Sequence, residues 1–300
     1  MYDLIIVGAG PAGITASVYA CRKRMNLLVI SKDIGGQTAL TGDIENYTGY
    51  QFISGRELTA KFQEHLKNYG IVLRENEEIK EIQRQEGLIL VKSDQGEYRT
   101  RTVIIASGKT SKELAVPGER EFKNRGLSYC ATCDGPLFSG KDVAVVGGGN
   151  SALDAALQLI KIAKRIYLIN VAENLSGDAI MEEKVRASGK VTILNKTRVS
   201  AILGDKFVQA IKVKTGQEEK TLSVQGVFVE IGLIPNSGFV SKLDKNEKGE
   251  IKVNCSNETN ISGVFAAGDV TDVPEKQVII AAGEGAKAAL SAFRYLSQIK

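Results

Sequence analysis

Two cysteines separated by two residues form the segment of this sequence that is best suited to chemistry. They are Cys130 and Cys133, in the run SYCATCDG at residues 128–135. Two thiols at i and i+3 come within bonding reach on one helical turn, and a position at the start of a helix lowers the pKa of a thiol. This spacing favours reversible exchange, in which one thiolate attacks a partner disulfide and the second sulfur resolves the mixed disulfide.

The residues around the pair bear on its role. Asp134 follows at once and is placed to give or take the proton that exchange requires, or to serve only as a carboxylate favoured by the helix dipole. A structural zinc site needs four Cys or His ligands, and the chain has one CxxC and a single histidine, His65, so no metal site is predicted. We expect Cys21 and Cys255 to be buried, inert thiols.

A glycine-rich turn near the start of the chain predicts a dinucleotide site. In GAGPAG, Gly8, Gly10 and Gly13 permit a tight turn, close approach of a pyrophosphate and close packing of helix on strand. The helix that begins with Pro11 and Ala12 directs its N–H groups at the phosphate. The acid that usually holds a ribose hydroxyl is displaced, so the expected contacts are Ser31 or Lys32, or Asp33, for which a solvated loop carboxylate is the alternative.

A second turn of the same kind lies in GGGNSA, at residues 147–152. Gly147 and Gly149, with the helix start at Asn150 and Ser151, predict a second nucleotide, and a relic turn kept for packing is the alternative. Asn170 stands where an acid would grip the ribose of a nicotinamide dinucleotide. No Arg or Lys lies between Ile166 and Lys184, so recognition of a 2′-phosphate is unsupported.

The two turns belong to a repeated pattern of strand, turn, helix and strand, each followed by candidate meander strands. This pattern predicts an α/β fold with two Rossmann-like, three-layer nucleotide-binding domains, each with a β-meander. The tail carries GVFAAGD and an apolar helix that fit the first domain, so the second domain is expected to be inserted in the first. The predicted boundaries are 1–113 and 241–300 for the first domain and 114–240 for the second, with flexible connectors at LAVPGE and GLIPNSG.

Composition excludes several classes of function. The net charge of +4 is spread over 300 residues without a dense basic block, so no nucleic-acid partner is predicted. No apolar run is long enough to span a bilayer, so no membrane association is expected. The strand-like segment from Asp3 leaves no room for a signal peptide, which predicts a cytoplasmic protein.

Together, the two fingerprints, CATCD and GVFAAGD resemble the low-molecular-weight thioredoxin reductases over essentially the whole chain. The sequence is especially similar to the flavoprotein subunit of alkyl hydroperoxide reductase in YCATCDGPLF, GGGNSALDAA and KQVIIAAGEGAKAALSAF. The extra N-terminal thioredoxin-fold region of that subunit has no counterpart here, which implies a bare reductase that acts on a separate carrier. The resemblance also implies a homodimer that alternates between two forms by rotating one domain against the other.

The resemblance assigns roles to individual residues. FAD is expected at the first fingerprint, and Asp269 matches the family residue that binds the ribityl chain. Cys133 matches the cysteine that faces the flavin, Cys130 the one that attacks thioredoxin, and Asp134 the acid–base residue. The flavin end is expected near Gly36, Gln37, Thr41, Asn46, Ser107, Gly108, Lys276, Gln277 and Val278.

The electron donor is where the sequence departs from the family. NADPH-dependent members carry a basic HRRxxxR motif, and this chain has Asn170, Val171, Ala172 and Ser176 in its place. The hydride is therefore expected from NADH, with NADPH disfavoured, to reduce thioredoxin or a thioredoxin-like or glutaredoxin-like protein. A ferredoxin-linked or other nicotinamide-independent reductase remains open. So do a flavoprotein NAD(P)H oxidase or ferredoxin reductase with incidental cysteines, and a redox-sensing binding protein.

Overall fold

The chain folds into two compact units, one inserted in the other. The computed structural model describes residues 1–41, 43–44, 46–85 and 87–299, without the side chains of residues 40, 43 and 133. The first unit comprises Met1–Thr110 and Ile234–Lys300, and the second comprises Ser111–Leu233. The chain therefore leaves the first unit once and returns to it once.

The elements of the first unit follow the predicted order of strand, turn and helix. They are β1 (Tyr2–Ala9), α1 (Pro11–Arg22), β2 (Leu27–Ile34), a 3-10 helix (Gly36–Leu40), β3 (Asp43–Ile44), β4 (Ile53–Ser54), α2 (Gly55–Asn68), β5 (Leu73–Glu75), β6 (Ile79–Gln85), β7 (Leu88–Ser93), β8 (Glu97–Ile105) and the connector β9 (Lys109–Ser111). Pro11 at the first position of α1 suits a helix start, since its missing N–H is not needed there. Ser54 and Glu57 form a capping box that starts α2.

The second unit repeats the plan, and the chain then returns to the first. The elements are α3 (Glu119–Phe122), β10 (Leu127–Ser128), α4 (Ala131–Asp134), a 3-10 helix (Gly135–Phe138), β11 (Asp142–Val146), α5 (Asn150–Ile160), β12 (Arg165–Ile169), α6 (Ala179–Ala187), β13 (Val191–Leu194), β14 (Thr197–Gly204), β15 (Val208–Thr215), β16 (Glu218–Ser223), β17 (Gly226–Val229), the connector β18 (Leu233–Pro235), β19 (Val264–Ala266) and α7 (Val278–Gln298). The connectors β9 and β18 pair with each other.

The first unit is built on one mixed sheet. Strands β5, β2, β1, β8 and β19 run parallel, and β8 also pairs antiparallel with β7, which pairs with β6. Alternate residues of β1 face opposite sides: Leu4 and Ile6 pack with α1 and α7, and Ile5 and Val7 pack with the β6–β7 hairpin. The meander and the parallel sheet therefore share the single long strand β8.

The second unit separates these two parts. A parallel sheet has the order β10, β17, β11, β12, β13, and β14 to β16 form an antiparallel sheet of their own. Val143 and Val145 of β11 face α5, whereas Ala144 and Val146 face the meander. The predicted α/β class, with two Rossmann-like sheets and their meanders, is confirmed.

The unit boundaries fall earlier than the predicted ones. The segment LAVPGE is a packed part of the second unit, because the buried Glu119 carboxylate accepts the N–H groups of Leu114 and Ala115, each at 2.6 Å. The first crossing therefore lies before it, at 110/111. The second crossing lies at 233/234, because Asn236 already donates its N–H to Gly108 and Val240 is buried in the core of the first unit.

Two further predictions need adjustment. Strand β2 runs to Ile34, so Asp33 is an exposed strand residue and not the loop carboxylate given as its alternative. Cys255 is exposed and Cys21 is partly buried, so the expectation of two buried thiols is wrong. Within the described ranges, no helix combines the length and the apolar character needed to cross a bilayer.

Candidate active site

Cys130 lies at the point where β10 gives way to α4, and it is disulfide-bonded. Its N–H donates to Ser128 Oγ at 3.0 Å, and its carbonyl accepts from that hydroxyl and from the N–H of Asp134 at 3.2 Å each. Cys130 is 9% exposed. Cys133 lies in α4, but its side chain is outside the described part of the chain. The backbone around the predicted redox pair is therefore held in one short turn.

Side chains on both sides of Cys130 anchor this turn. The Tyr129 hydroxyl donates to Glu119 at 2.7 Å, and burial together with this bond raises the pKa of Tyr129. The Thr132 hydroxyl donates to Gln158 of α5 at 2.8 Å, and the Gln158 amide donates to Asp154 at 2.7 Å. The residues before and between the two cysteines are thus fixed to the body of the second unit.

In the first glycine turn, backbone atoms approach Gly8 and Gly13 too closely for a side chain, whereas Gly10 has space beside it. A Cβ on Gly8 would lie 2.3 Å from the Ala106 carbonyl oxygen, and one on Gly13 would lie 1.9 Å from the Gly8 oxygen. At Gly10, however, the nearest atom to such a Cβ is 4.0 Å away. Gly10 precedes α1, whose first turn has neither a side-chain cap nor an acid. This leaves room and N–H donors for an anion.

The predicted flavin residues of the first unit form several direct contacts. Asn46 donates its amide to Gln277 at 3.1 Å, and Gln37 donates to the carbonyl of Lys109, next to Gly108. Gly36 faces Gly10, since a Cβ on Gly36 would lie 3.7 Å from the Gly10 Cα. Thr41 donates to Gln37, Ser107 donates to Asn236, Lys276 donates to the Thr271 carbonyl, and Val278 begins α7.

Asp269 lies just beyond β19, next to a turn held by a buried acid. Burial raises the pKa of Asp269, Glu284 and Glu250 add to the effect, and Lys276 and Lys109 oppose it. Glu284 of α7 accepts the N–H of Gly268 at 3.1 Å and the hydroxyl of Thr271 at 3.3 Å. A half-buried carboxyl of this kind is suited to accept hydrogen bonds from a polyol chain.

The two proposed ribose contacts at the end of β2 are already engaged. Ser31 Oγ accepts the N–H of Ala9 at 3.0 Å and donates to the Asp33 carbonyl at 2.6 Å. Lys32 forms an exposed ion pair with Glu78 at 2.7 Å. The Ser31 hydroxyl is thus used in backbone contacts at the ends of β1 and β2 in this structure, and Asp33 is exposed.

The residues of the first unit fit FAD. The open Gly10 position and the uncapped α1 provide for a pyrophosphate, and the half-buried Asp269 provides an acceptor for ribityl hydroxyls. Among the described residues, no group of three or more His, Cys, Asp or Glu is arranged to hold a metal ion.

The second glycine turn is contacted by the loop that follows β12. The N–H of Ser176 donates to the Gly148 carbonyl at 2.7 Å, and the N–H of Asp178 donates to Asn150 Oδ1 at 2.7 Å. A Cβ on Gly149 would still find its nearest neighbour, Ser176 Oγ, at 3.8 Å. The loop therefore approaches the turn without filling the space above Gly149. Ser151, beside Asn150, is exposed.

Asn170 is buried and uses its amide within this loop. Its Nδ2 donates to the carbonyls of Asn174 and Ala172 and to Asn195 Oδ1, at 2.9, 3.3 and 3.0 Å, and its Oδ1 accepts the N–H of Ala172. A Cβ on Gly148 would lie 2.3 Å from Asn170 Oδ1. The predicted ribose contact thus holds the loop together in this structure.

A glutamate beside the second turn is strongly perturbed. Glu230 follows β17, and its carbonyl oxygen would lie 2.1 Å from a Cβ on Gly147. Burial, reinforced by the charge of Asp154, raises the pKa of Glu230 to about 8. Perturbed carboxyls at the carboxyl edge of a parallel sheet often mark functional positions.

Several of these residues are absent from the sequence-based predictions. Glu284 had a usable signal, because it falls on the buried stripe of α7 with Ala281 and Ala288, where an acid is unexpected. Glu119 and Glu230 carry no such pattern. Their partners are distant in sequence or contributed by the backbone.

Comparison with known proteins identifies relatives along almost the whole chain. The family model described as "Pyridine nucleotide-disulphide oxidoreductase" matches residues 2–285. The chain is 39% identical over 299 residues to the NADH dehydrogenase of Bacillus subtilis and 38% identical over 299 residues to a subunit of the alkyl hydroperoxide reductase of Staphylococcus epidermidis. These alignments cover 98% of this chain but 58% and 59% of the relatives, so the chain spans under two thirds of their length.

The matches to solved structures extend over nearly the full length of both chains. The thioredoxin reductase of Lactococcus lactis is 34% identical with a TM-score of 0.91, and covers 99% of this chain and 100% of its own. That of T. acidophilum is 37% identical with a TM-score of 0.89, covering 100% and 99%. A ferredoxin-flavin thioredoxin reductase from Clostridium acetobutylicum is 32% identical with a TM-score of 0.55, covering 99% and 98%.

Proposed function

Because the chain belongs to the pyridine nucleotide-disulphide oxidoreductase family, we propose that it is an FAD-dependent reductase of a disulfide in thioredoxin or in a thioredoxin-like or glutaredoxin-like protein. The observation that carries the proposal is the disulfide-bonded Cys130 at the start of α4, in a turn anchored by Tyr129 and Thr132. This is the arrangement expected of a dithiol that exchanges with a partner.

The thiol–disulfide exchange with the partner takes place in two steps. The Cys130 thiolate attacks one sulfur of the partner disulfide, which forms a mixed disulfide and releases the other partner sulfur as a thiolate. Cys133 then attacks the Cys130 sulfur, which restores the internal disulfide and releases the second partner thiolate. The partner gains two electrons, and two protons complete its thiols. Asp134, one residue from Cys133, is the group proposed to move a proton in this step.

The backbone of this segment prepares Cys130 for its role. The Ser128 hydroxyl and the Asp134 N–H bond to the Cys130 backbone, so the sulfur is presented from a fixed turn. Since Cys130 is only 9% exposed, a protein partner reaches it only after a rearrangement. The domain rotation implied by the family resemblance is the rearrangement that we propose.

Bound FAD would supply two-electron chemistry that returns the internal disulfide to the dithiol state. This chain's part is to hold the pyrophosphate at Gly10 and α1 and the ribityl hydroxyls at Asp269. Asn46, Gln277 and the backbone near Gly108 are proposed to orient the flavin end. The Asn46–Gln277 hydrogen bond and the Gln37 contact with Lys109 support this placement.

We propose NADH as the electron donor, with NADPH disfavoured. The segment of residues 171–177 contains no Lys or Arg, and its one charged residue, Glu173, is paired with Lys196 of the next turn at 2.5 Å. A 2′-phosphate would be repelled by Glu173 or would have to displace it. The space above Gly149 leaves room for a pyrophosphate of either nucleotide.

An anaerobic titration tests the proposal directly. NADH, NADPH or reduced ferredoxin is added to the purified protein while the flavin absorbance is followed. We expect fast bleaching with NADH and at least tenfold slower bleaching with NADPH. A protein that takes up no flavin would refute the FAD assignment. Fast bleaching by NADPH, or by neither nicotinamide, would refute the donor assignment alone.

A ferredoxin-linked reductase is the second candidate function. Two observations favour it: the amide of Asn170 is committed to the loop, and Ser176 and Asp178 fasten that loop to the second glycine turn. The similarity to the ferredoxin-flavin thioredoxin reductase of Clostridium acetobutylicum makes the class relevant. Bleaching by reduced ferredoxin, together with inertness toward both nicotinamides, would support it.

Variants at Cys133 separate these reductases from an oxidase and from a redox sensor. Cys133→Ser should abolish disulfide reduction while the flavin remains reducible. A flavoprotein oxidase with incidental cysteines would keep its full turnover in this variant, and a redox-sensing binding protein would show no turnover of any disulfide. The predicted homodimer and cytoplasmic location remain predictions, testable by light scattering of the purified protein and by cell fractionation.

A further inference from the structure

A buried cluster of charges lies in the first unit, outside the residues assigned above to catalysis. Glu250 Oε1 contacts the Nζ atoms of Lys109 at 2.8 Å and of Lys276 at 3.3 Å, and Asn246 donates to Glu250 Oε2 at 2.6 Å. The side chains of Glu250, Lys109 and Lys276 are 8%, 13% and 23% exposed. We call Lys109, Glu250 and Lys276 the Glu250 cluster.

Both lysines come from segments that the flavin site is expected to use. Lys109 directly follows Gly108, and its carbonyl accepts from Gln37. Lys276 directly precedes Gln277, which accepts from Asn46. The Asp269 carboxyl also responds electrostatically to all three members of the cluster. One contact of Lys109, one contact of the residue next to Lys276 and the electrostatic effect on Asp269 therefore place the cluster at the border of the proposed FAD site.

The cluster carries an uneven charge. Two ammonium groups face one carboxylate, so its net charge is about +1 if all three groups are ionised. The state of the carboxylate is clear: burial alone would raise the pKa of Glu250, but hydrogen bonds from Lys109 and Asn246 and the charges of both lysines hold it at about 2. Charges buried in this way are screened by salt much less than exposed ones.

We propose that Glu250 is a positioning residue that keeps the ammonium groups of Lys109 and Lys276 beside the flavin, so that their net positive charge raises the flavin reduction potential. This inference rests on the proposed FAD site. Uptake of two electrons and one proton leaves the flavin ring with one negative charge. A nearby positive charge stabilises that product more than the neutral oxidised ring, which shifts the equilibrium toward reduction.

The test is the midpoint potential of bound FAD, measured by equilibration with reference dyes. Lys109→Met and Lys276→Met each remove one positive charge, so each should lower the ratio of reduced to oxidised flavin at a fixed potential about tenfold, or by about 30 mV for a two-electron couple. Glu250→Gln keeps an oxygen that accepts from the lysines but removes the negative charge. It should shift the potential upward.

A second variant distinguishes positioning from charge alone. Glu250→Ala removes the acceptor as well, so the lysines can turn to water and the upward shift seen with Gln should be lost. Lys245→Met is the matched control, because Lys245 is a partly buried lysine of the same unit whose ammonium group donates to the Ser237 carbonyl. In the described part of the chain, no ion pair or side-chain hydrogen bond joins it to the cluster. In this variant, the ratio of reduced to oxidised flavin at a fixed potential should stay within threefold of the wild-type ratio.

The outcomes separate this inference from the proposed function. Opposite shifts in Glu250→Gln and Lys109→Met support it. Shifts in the same direction, or none above threefold in folded and flavin-loaded variants, overturn it and leave the FAD site intact. A purely structural cluster would instead change the urea midpoint of the apoprotein without moving the potential. If the wild type takes up no FAD, the proposed function fails and the inference fails with it.

Discussion

The two glycine turns share one backbone plan but differ in what surrounds them. In the first unit, the position at Gly10 is open and Asp269 lies half-buried with charged groups nearby. In the second unit, Asn170 turns inward onto Gly148, and the loop from Ser176 to Asp178 is fastened to the turn. A shared fingerprint therefore specifies a turn and a helix start, whereas the side chains of neighbouring segments decide whether a nucleotide finds side-chain partners.

The largest expected effect comes from adding one methyl group to each turn. Gly10→Ala and Gly149→Ala are tolerated by the protein alone, since the nearest atoms to the new Cβ lie 4.0 and 3.8 Å away. In Gly10→Ala the methyl occupies the approach of the pyrophosphate, so FAD affinity should fall about a thousandfold. The measurement is the ratio of flavin to protein after purification, with urea unfolding of the apoprotein as the control for folding.

Gly149→Ala is the matched variant that can break the comparison. It should retain FAD and bind NADH at least about tenfold more weakly, measured by the concentration dependence of anaerobic flavin bleaching. If bleaching by NADH is unchanged, the second turn is a relic kept for packing. If Gly10→Ala keeps a full complement of flavin, the first turn is not the pyrophosphate site.

The second effect concerns Glu230 and Glu250, whose pKa values are shifted in opposite directions from that of an ordinary glutamate. The pKa of Glu230 is raised by burial to about 8, so between about pH 4.5 and 8 the folded form holds a proton that the unfolded form has lost. Stability should therefore fall as pH rises through this window. As the pH rises from 5 to 8.5, the free energy of unfolding of Glu230→Gln should increase by about 3 kcal/mol relative to that of the wild type.

Urea unfolding of the apoprotein at several pH values measures this gain. The exposed Glu218 of the same unit provides the control, and Glu218→Gln should follow the wild-type profile. Glu250 should behave in the opposite way. Because its pKa is held at about 2, it contributes stability above pH 4.5 that is lost as pH falls toward 2. If the free energies of unfolding of Glu230→Gln and of the wild type differ by the same amount at every pH, the prediction is wrong.

The elements formed by residues that are neighbours in the sequence could be predicted from it. The strands, turns and helices around Gly8 and Gly147 follow from local patterns, and so does the insertion of one unit in the other. The Glu250 cluster could not be predicted, because Lys109 and Glu250 are 141 residues apart and nothing local marks either one. The role of Asn170 was also hidden, since an amide at a strand end serves a ribose or its own loop equally well by residue type.

The next effect compares the side chains at the two strand ends. Asn170→Ala leaves the N–H of Ala172 and the carbonyl of Asn174 without their partner, and should cost about 2 kcal/mol of unfolding free energy. Ser31→Ala leaves the N–H of Ala9 without its side-chain acceptor and the Asp33 carbonyl without its side-chain donor. It should cost about 1 kcal/mol, because Asp33 is exposed and water can replace that donor. Urea unfolding of the apoproteins measures both costs.

The nucleotide readout of these two variants shows whether either side chain also serves a ribose. If Asn170 acts only within its loop, the loss of NADH affinity should accompany a loosened loop, seen as faster amide exchange at residues 171–178. A large loss of NADH affinity with unchanged exchange would instead identify Asn170 as a direct ribose contact. For Ser31, the corresponding readout is the dissociation constant of FAD.

The smallest effect is expected from two exposed ion pairs near the two turns. Lys32 pairs with Glu78 and Lys196 with Glu173, and the lysine side chains are 61% and 62% exposed. Surface pairs of this kind contribute little, so Lys32→Ala and Lys196→Ala should each change stability by less than about 0.5 kcal/mol.

Lys196 is nevertheless the cation that pairs with the one acid of residues 171–177, so it gives the donor assignment its sharpest test. If NADPH is disfavoured because no cation is free to take its 2′-phosphate, Lys196→Ala should leave the ratio of NADH to NADPH bleaching rates unchanged, and Glu173→Gln should lower it by releasing Lys196. A ratio that moves with Lys196→Ala but not with Glu173→Gln would mean that Lys196 already serves the nucleotide and that its pairing with Glu173 does not limit it.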